Sequence, residues 1–144
     1  MNVRPVRHDE RAEYQRMRLA LWPDSSDADN DSWFARDDAA TFVAEYPNGS
    51  LCGFVEVGSR PYAEGCDSSP VGFIEGWWVA EDVRRTGVGR ALLAAAETWA
   101  RSKGYTEMGS DALLDNHTSH AAHGRCGYSE VERQVMFRKS LAAS

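Results

Sequence analysis

The chain has 144 residues, a length that suits one domain (1–144) able to bury a core without disulfide or metal staples. Its 22 acidic residues outnumber 16 basic ones, and the net charge of −6 argues against nucleic acid as a partner. No apolar run approaches the roughly 20 residues of a membrane span, and the polar stretch from Met1 to Glu10 has no signal-peptide core.

Val3 to Val6 reads as a short first strand. His8 to Leu21 reads as a helix with Tyr14, Met17 and Leu21 on one stripe, ended by Trp22-Pro23, because the residue before proline disfavours helix. Asp24 to Asp31 is expected to be a polar loop and Ser32 to Asp38 a short second helix. Six aspartates and one arginine, Arg36, fall between Asp24 and Asp38. Such a run is a solvated loop or, if it borders a cleft, an attractor for a cationic substrate. Thr41 to Tyr46 and Leu51 to Gly58 read as strands joined at Pro47-Asn48-Gly49, a hairpin signal.

Arg60 to Pro70 is a loop, followed by a long apolar strand through Val79 in which Gly76 is compatible with a bulge. Ala91 to Arg101 is rich in helix formers, and Gly104 supplies the stop. Tyr105 to Ser110 is expected as a fifth strand, with a helix from near Asn116 to before Gly127. Tyr128 to Arg138 is expected to supply one long strand or two short ones. The element order predicts a mixed α/β sheet flanked by helices. Cys52, Cys66 and Cys126 are odd in number and lack CxxC spacing, so they read as reduced thiols in a cytoplasmic protein.

The turn Arg84-Arg85-Thr86-Gly87-Val88-Gly89-Arg90 joins the long strand to the Ala-rich helix. Glycines there allow a tight turn that exposes successive N–H groups, and the helix N-terminus and three arginines add positive charge, as a pyrophosphate cradle requires. It lacks the Gly-Lys-Ser/Thr ending of a Walker loop and the third glycine of a dinucleotide fingerprint. The remaining pattern, Arg-x-x-Gly-x-Gly, resembles the coenzyme A loop of the GNAT N-acetyltransferase superfamily.

The resemblance narrows further along the chain. Leu21-Trp22-Pro23, Gly65-Cys66-Asp67-Ser68-Ser69-Pro70-Val71 and Phe73-Ile74-Glu75-Gly76 are similar to the aminoglycoside 6'-N-acetyltransferases. Glu107-Met108-Gly109-Ser110-Asp111 and Glu130-Val131-Glu132-Arg133 continue the match in order. The resemblance implies a GNAT fold, a mixed and mostly antiparallel central sheet splayed at strand 4, and a homodimer. It implies acetyl-coenzyme A as cosubstrate, no metal, and a cationic aminoglycoside acetylated on its 6'-amine, conferring antibiotic resistance.

Glu75 and Asp111 are then the candidate catalytic carboxylates, with Glu75 first as the base that takes a proton from the attacking amine. Backbone groups at Trp77, Trp78 and Val79 would bind the acyl-pantetheine arm. Arg84, Arg85, Thr86, Gly87, Val88, Gly89 and Arg90 would hold the pyrophosphate, with Asn116 near the pantetheine. Trp22, Ser25, Tyr62, Glu75, Asp111 and Glu132 would line the substrate pocket, and Asp67 is a further candidate. An aromatic face suits a sugar ring and attracts a cation.

Two positions depart from the family pattern. Ser25 stands where the family's motif can carry a histidine, which bears on substrate range. His123 stands where many superfamily members place a tyrosine that protonates the leaving thiolate. His117, His120 and His123 recur every third residue and span an arc of roughly 120°, which favours a polar helix face over a metal site. Acetylation of a polyamine or other small amine, and non-catalytic sensing of acyl-coenzyme A, are the competing functions.

Overall fold

The computed structural model describes residues 2–143; Met1 and Ser144 lie outside it. Strand β1 (Asn2–Pro5) leads through a 3-10 turn at His8–Glu10 into helix α1 (Arg11–Leu21) and then α2 (Asp27–Phe34). Strands β2 (Ala39–Glu45), β3 (Leu51–Arg60) and β4 (Val71–Val79) follow. A 3-10 turn at Glu81–Val83 leads to α3 (Val88–Ser102), β5 (Met108–Ser110) and α4 (His117–Arg125). The strands form one sheet in the order β1-β2-β3-β4-β5, antiparallel except for the parallel β4–β5 pair. The expected mixed, mostly antiparallel sheet flanked by helices is therefore present.

Period-two alternation sends neighbouring strand residues to opposite faces. Ala44, Val55, Val57 and Ile74 pack with Leu92, Leu93 and Ala96 of α3. Val43, Leu51 and Phe54 pack on the other face with Tyr14 and Met17 of α1. The parallel pairing of β4 with β5 covers only Gly72 to Ile74, ending at Ser110, so β4 runs on to Val79 without β5 beside it. This is the splay at strand 4.

Three expected boundaries differ. The second helix begins at Asp27, not Ser32: the Ser26 hydroxyl accepts from the Asp29 N–H, and the Asp29 carboxylate accepts from the Ser26 N–H. That reciprocal cap places acidic residues in the first turn, where the helix dipole favours them. The fifth strand is confined to Met108–Ser110. Finally, the stretch expected as one or two strands from Tyr128 to Arg138 is neither strand nor helix. A strand needs a neighbour to hydrogen-bond, and alternation alone cannot supply one. Val131, Val135, Met136 and Phe137 in this stretch are exposed.

Candidate active site

The centre of the site is a bulge in β4. Opposite Glu56 and Val57 of β3 stand Gly76 and Ile74, which leaves Glu75 as the extra residue. One extra residue shifts the alternation. As a result Ile74 and Trp77 both pack with the α3-side core, while Trp78 packs with the α1 side. Both tryptophans are half-buried. Glu75 binds the Arg60 guanidinium through two oxygens, at 2.6 and 2.8 Å. Arg60 in turn lies 3.6 Å above the Phe73 ring centroid. Glu75 first, and Asp111 more weakly, raise the pKa of the Arg60 guanidinium, so Arg60 links the two candidate carboxylates electrostatically.

Trp22 follows α1 and covers the bulge. A methyl group added at Gly76 would lie 2.4 Å from the Trp22 ring, so only glycine lets this indole rest on β4 beside Glu75. Ser25 reaches back to α1, where the Arg18 Nε–H donates to its hydroxyl at 3.4 Å. Tyr62 is exposed on the β3–β4 loop, and its hydroxyl donates to Glu64 at 3.0 Å. Glu64 also contacts Glu132, and this like-charged neighbour raises the Glu132 carboxyl. The expected pocket residues thus fall in two groups: Trp22 over Gly76 beside the Glu75–Arg60 pair, with Asp111 in the field of Arg60, and Tyr62 with Glu132 about Glu64. The Gly65–Pro70 loop is held by Glu107, which accepts from the Asp67 and Ser68 N–H groups at 2.8 and 2.7 Å.

The Arg84–Arg90 turn lies past the end of β4. Arg85 and Gly87 have positive φ, 64° and 94°, with Gly87 at the N-cap of α3. The first helical hydrogen bond runs from Ala91 N–H to Gly87 C=O, so the amides of Val88, Gly89 and Arg90 precede it, as at any helix start. A methyl at Gly89 would lie 3.1 Å from Trp77, whose indole N–H donates to the Gly89 carbonyl at 3.2 Å. The strand thereby fixes the turn. Arg84 donates to the Val79 carbonyl at 2.9 Å, and the Thr86 hydroxyl donates to the Val83 carbonyl. Val88 is buried, Arg85 is exposed, and Arg90 donates to the Arg125 carbonyl at the end of α4. The geometry fits an anion: consecutive amides, no side chain at Gly87, and guanidinium charge around the rim.

His123 of α4 fills the splay. Its ring meets Trp77 of β4 edge-on at 5.1 Å, and its Nε2 shares a 2.7 Å hydrogen bond with the Ser110 hydroxyl of β5. Nδ1–H donates to the Ser119 carbonyl at 2.8 Å. Asn116 caps α4, its side chain accepting from the Ser119 N–H. His117 and His120 pair edge to face. Among the described residues no His, Cys, Asp or Glu group is arranged to hold a metal. Burial pushes the Cys52 and Cys66 thiols up, away from nucleophilic thiolate.

The acetyltransferase (GNAT) family model matches residues 4–128. The chain belongs to the GNAT acetyltransferase family. It is 44% identical to an aminoglycoside N(6')-acetyltransferase type 1 of Klebsiella aerogenes, with 96% of each chain covered. Among solved structures it is similar to an aminoglycoside 6'-N-acetyltransferase from Acinetobacter haemolyticus, at a TM-score of 0.90 and 35% identity over 99% of this chain and 100% of that one. It is equally similar to AAC(6')-Iy, solved in complex with the bisubstrate analogue CoA-S-monomethyl-acetylneamine, at a TM-score of 0.89 and 35% identity over 96% of this chain and 97% of that one.

Sequence reasoning missed a second acidic centre in this GNAT chain. Glu56 of β3 is buried beneath the bulge, where it accepts from the Tyr14 hydroxyl at 2.5 Å and from Arg18 Nη1 at 2.8 and 3.0 Å. Burial pushes its carboxyl up to about 7, against the pull of those hydrogen bonds. Arg18 also lies 5.0 Å over the Trp22 ring, so the cluster braces the indole that covers Glu75. The signal was present: Arg18 falls on the Tyr14–Met17–Leu21 stripe, and Glu56 is the lone charge between Leu51 and Gly58. Opposite charges in two facing apolar stripes mark a buried pair. Arg60, expected to open the loop, instead ends β3.

Proposed function

We propose that the chain transfers the acetyl group of acetyl-coenzyme A to the 6'-amine of aminoglycosides, and so confers resistance to these antibiotics. The observation that carries the reading is the layout of β4: a bulged carboxylate under an aromatic wall at its middle, and an anion cradle past its end. One strand can thus hold the amine and the thioester together. The relatives named for aminoglycoside acetylation, and the solved neighbour holding a coenzyme A–aminoglycoside conjugate, support the same substrates.

The Arg84–Arg90 turn would take the pyrophosphate, and the backbone of Trp77 to Val79, free of β5, would take the pantetheine arm. Bound acetyl-coenzyme A supplies an activated acyl group. An ammonium has no lone pair, so the amine must first lose a proton, and Glu75 is the proposed acceptor, directly or through water. The nitrogen then attacks the thioester carbon; the C–N bond forms and the C–S bond breaks, leaving the thiolate. Backbone N–H groups near Val79 would stabilise the charge growing on the carbonyl oxygen. Asp111 and Glu132 would bind the antibiotic's other ammonium groups, with Trp22, Ser25 and Tyr62 against its rings.

The assembly proposed is a homodimer, working in the cytoplasm. Supporting it, Val135, Met136, Phe137 and Leu141 are exposed, and a cavity of about 800 Å³ opens along β5 between α3 and residues 129–133. A second copy's C-terminal segment would fill it. Deleting residues 129–144 is expected to yield a monomer by light scattering, whereas the full chain runs as a dimer; a monomeric full chain would refute the assembly.

Thiol release from acetyl-coenzyme A, measured with kanamycin and with a matched compound carrying a 6'-hydroxyl, tests the activity. Release only with the 6'-amine is expected. No release with either, despite acetyl-coenzyme A binding, would overturn it and point to another amine or to sensing without turnover.

A further inference from the structure

The Arg60–Glu75 pair sets a problem for any reading in which Glu75 meets a substrate amine. Both oxygens of Glu75 are already taken by one guanidinium. The pair is charge-assisted and bidentate, the strongest common form of such contact. Phe73 supports the guanidinium from below at 3.6 Å, a cation–π position. Asp111 adds its field to the same cation. Arg60 therefore occupies one of the carboxylates proposed to receive the antibiotic and lies in the field of the other.

We infer that Arg60 is a resident surrogate for the substrate's ammonium group, displaced from Glu75 when the polycation binds, and so a determinant of specificity. This rests on the proposed aminoglycoside activity. Two observations support displacement over permanence. The Arg60 side chain is 41% exposed, against 8% for Arg18 in the neighbouring buried pair, so one side of it is open to leave. Its anchor at the far end is the last residue of β3, where the strand gives way to the Pro61–Pro70 loop. A carboxylate pocket with no cation is costly to keep, and Arg60 offsets that cost in the empty enzyme. A ligand that brings its own positive charge replaces what it removes. A neutral sugar would break the ion pair and return nothing, so Arg60 excludes it.

The test is Arg60→Met, which keeps an apolar stem over Phe73 and removes the charge. Calorimetric Kd for kanamycin and the KM values for both substrates are measured beside the wild type. The expected result is a kanamycin Kd and KM lowered about fivefold, in line with the modest worth of a partly exposed pair, a steeper fall of kanamycin affinity with salt, and an unchanged KM for acetyl-coenzyme A. Arg60→Gln, which keeps a donor toward Glu75, replaces it if the Met variant melts early. A kanamycin Kd unchanged or raised in both variants overturns the inference, since Arg60 would then hold the site together rather than compete for it. If the wild type acetylates no aminoglycoside yet the variants bind kanamycin more tightly, the activity reading falls and the surrogate stands. If neither protein binds kanamycin, both fall.

Discussion

Two glutamates face one another across the β4 bulge, each paired with an arginine, and they differ in almost everything else. Glu56 and Arg18 are 2% and 8% exposed in their side chains, whereas Glu75 and Arg60 are 19% and 41% exposed. Glu56 has a second partner in Tyr14, and its arginine lies over the Trp22 ring. Among the described residues, Arg60 is the one charged side chain that donates to Glu75. The same chemical pair is architecture when enclosed and exchangeable when one side is open. Burial, rather than residue type, separates the two roles.

The largest expected effect comes from breaking the enclosed pair. Arg18→Met leaves Glu56 buried without its counter-charge and is expected to cost about 3–5 kcal/mol by denaturant unfolding. Adding Glu56→Gln removes the orphaned charge and should restore much of the loss. Arg60→Met should stay within about 1 kcal/mol of the wild type. Equal losses at both arginines would erase the distinction.

Gly76→Ala acts on the wall between the two centres. Its methyl would sit 2.4 Å from the Trp22 ring, so the indole must leave the bulge. The expected cost is about 1–3 kcal/mol, together with a raised KM for aminoglycoside and an unchanged KM for acetyl-coenzyme A. A silent Gly76→Ala would mean that Trp22 does not depend on this seat.

The smallest effects are in pH dependence, where the signs differ. Glu56 titrates near 7 in the folded chain, raised chiefly by burial from the ordinary 4.5. The native state therefore binds more protons than the unfolded state between these values, and this group's contribution to stability falls as pH rises through that window. Glu10, pulled down to about 2 chiefly by its hydrogen bond from Arg4, does the opposite: its contribution is present above 4.5 and is lost as pH falls toward 2. Unfolding midpoints of Glu56→Gln and wild type should thus converge at about pH 4.5 and separate toward 7, the variant losing the decline. Parallel curves would contradict the assignment.

Much of this was legible in the sequence. Glycines 87 and 89 announced the turn before α3, and Phe73-Ile74-Glu75-Gly76 announced the bulged strand. What stayed hidden has specific causes. Arg18 lies on an apolar stripe, where hydrophobic periodicity does not mark a charged residue. The α2 start was signalled by Ser26 and Asp29 at cap spacing, but a helix of Asp, Ala and Asn offers no apolar period to find. The Arg60–Glu75 contact spans a loop of ten residues, and no local pattern reports which side chains such a loop returns together. The strand expected after Tyr128 failed because pairing depends on a neighbour, which the chain does not provide to itself.

The most direct test of the two-centre account is turnover in Glu75→Gln beside Glu56→Gln, with unfolding midpoints measured on both. Glu75→Gln should lower kcat/KM for kanamycin by about 10²–10⁴-fold, the usual worth of a positioned base, without shifting its midpoint. Glu56→Gln should change stability and its pH dependence far more than turnover. Near-normal turnover in Glu75→Gln, or a collapse confined to Glu56→Gln, would contradict it.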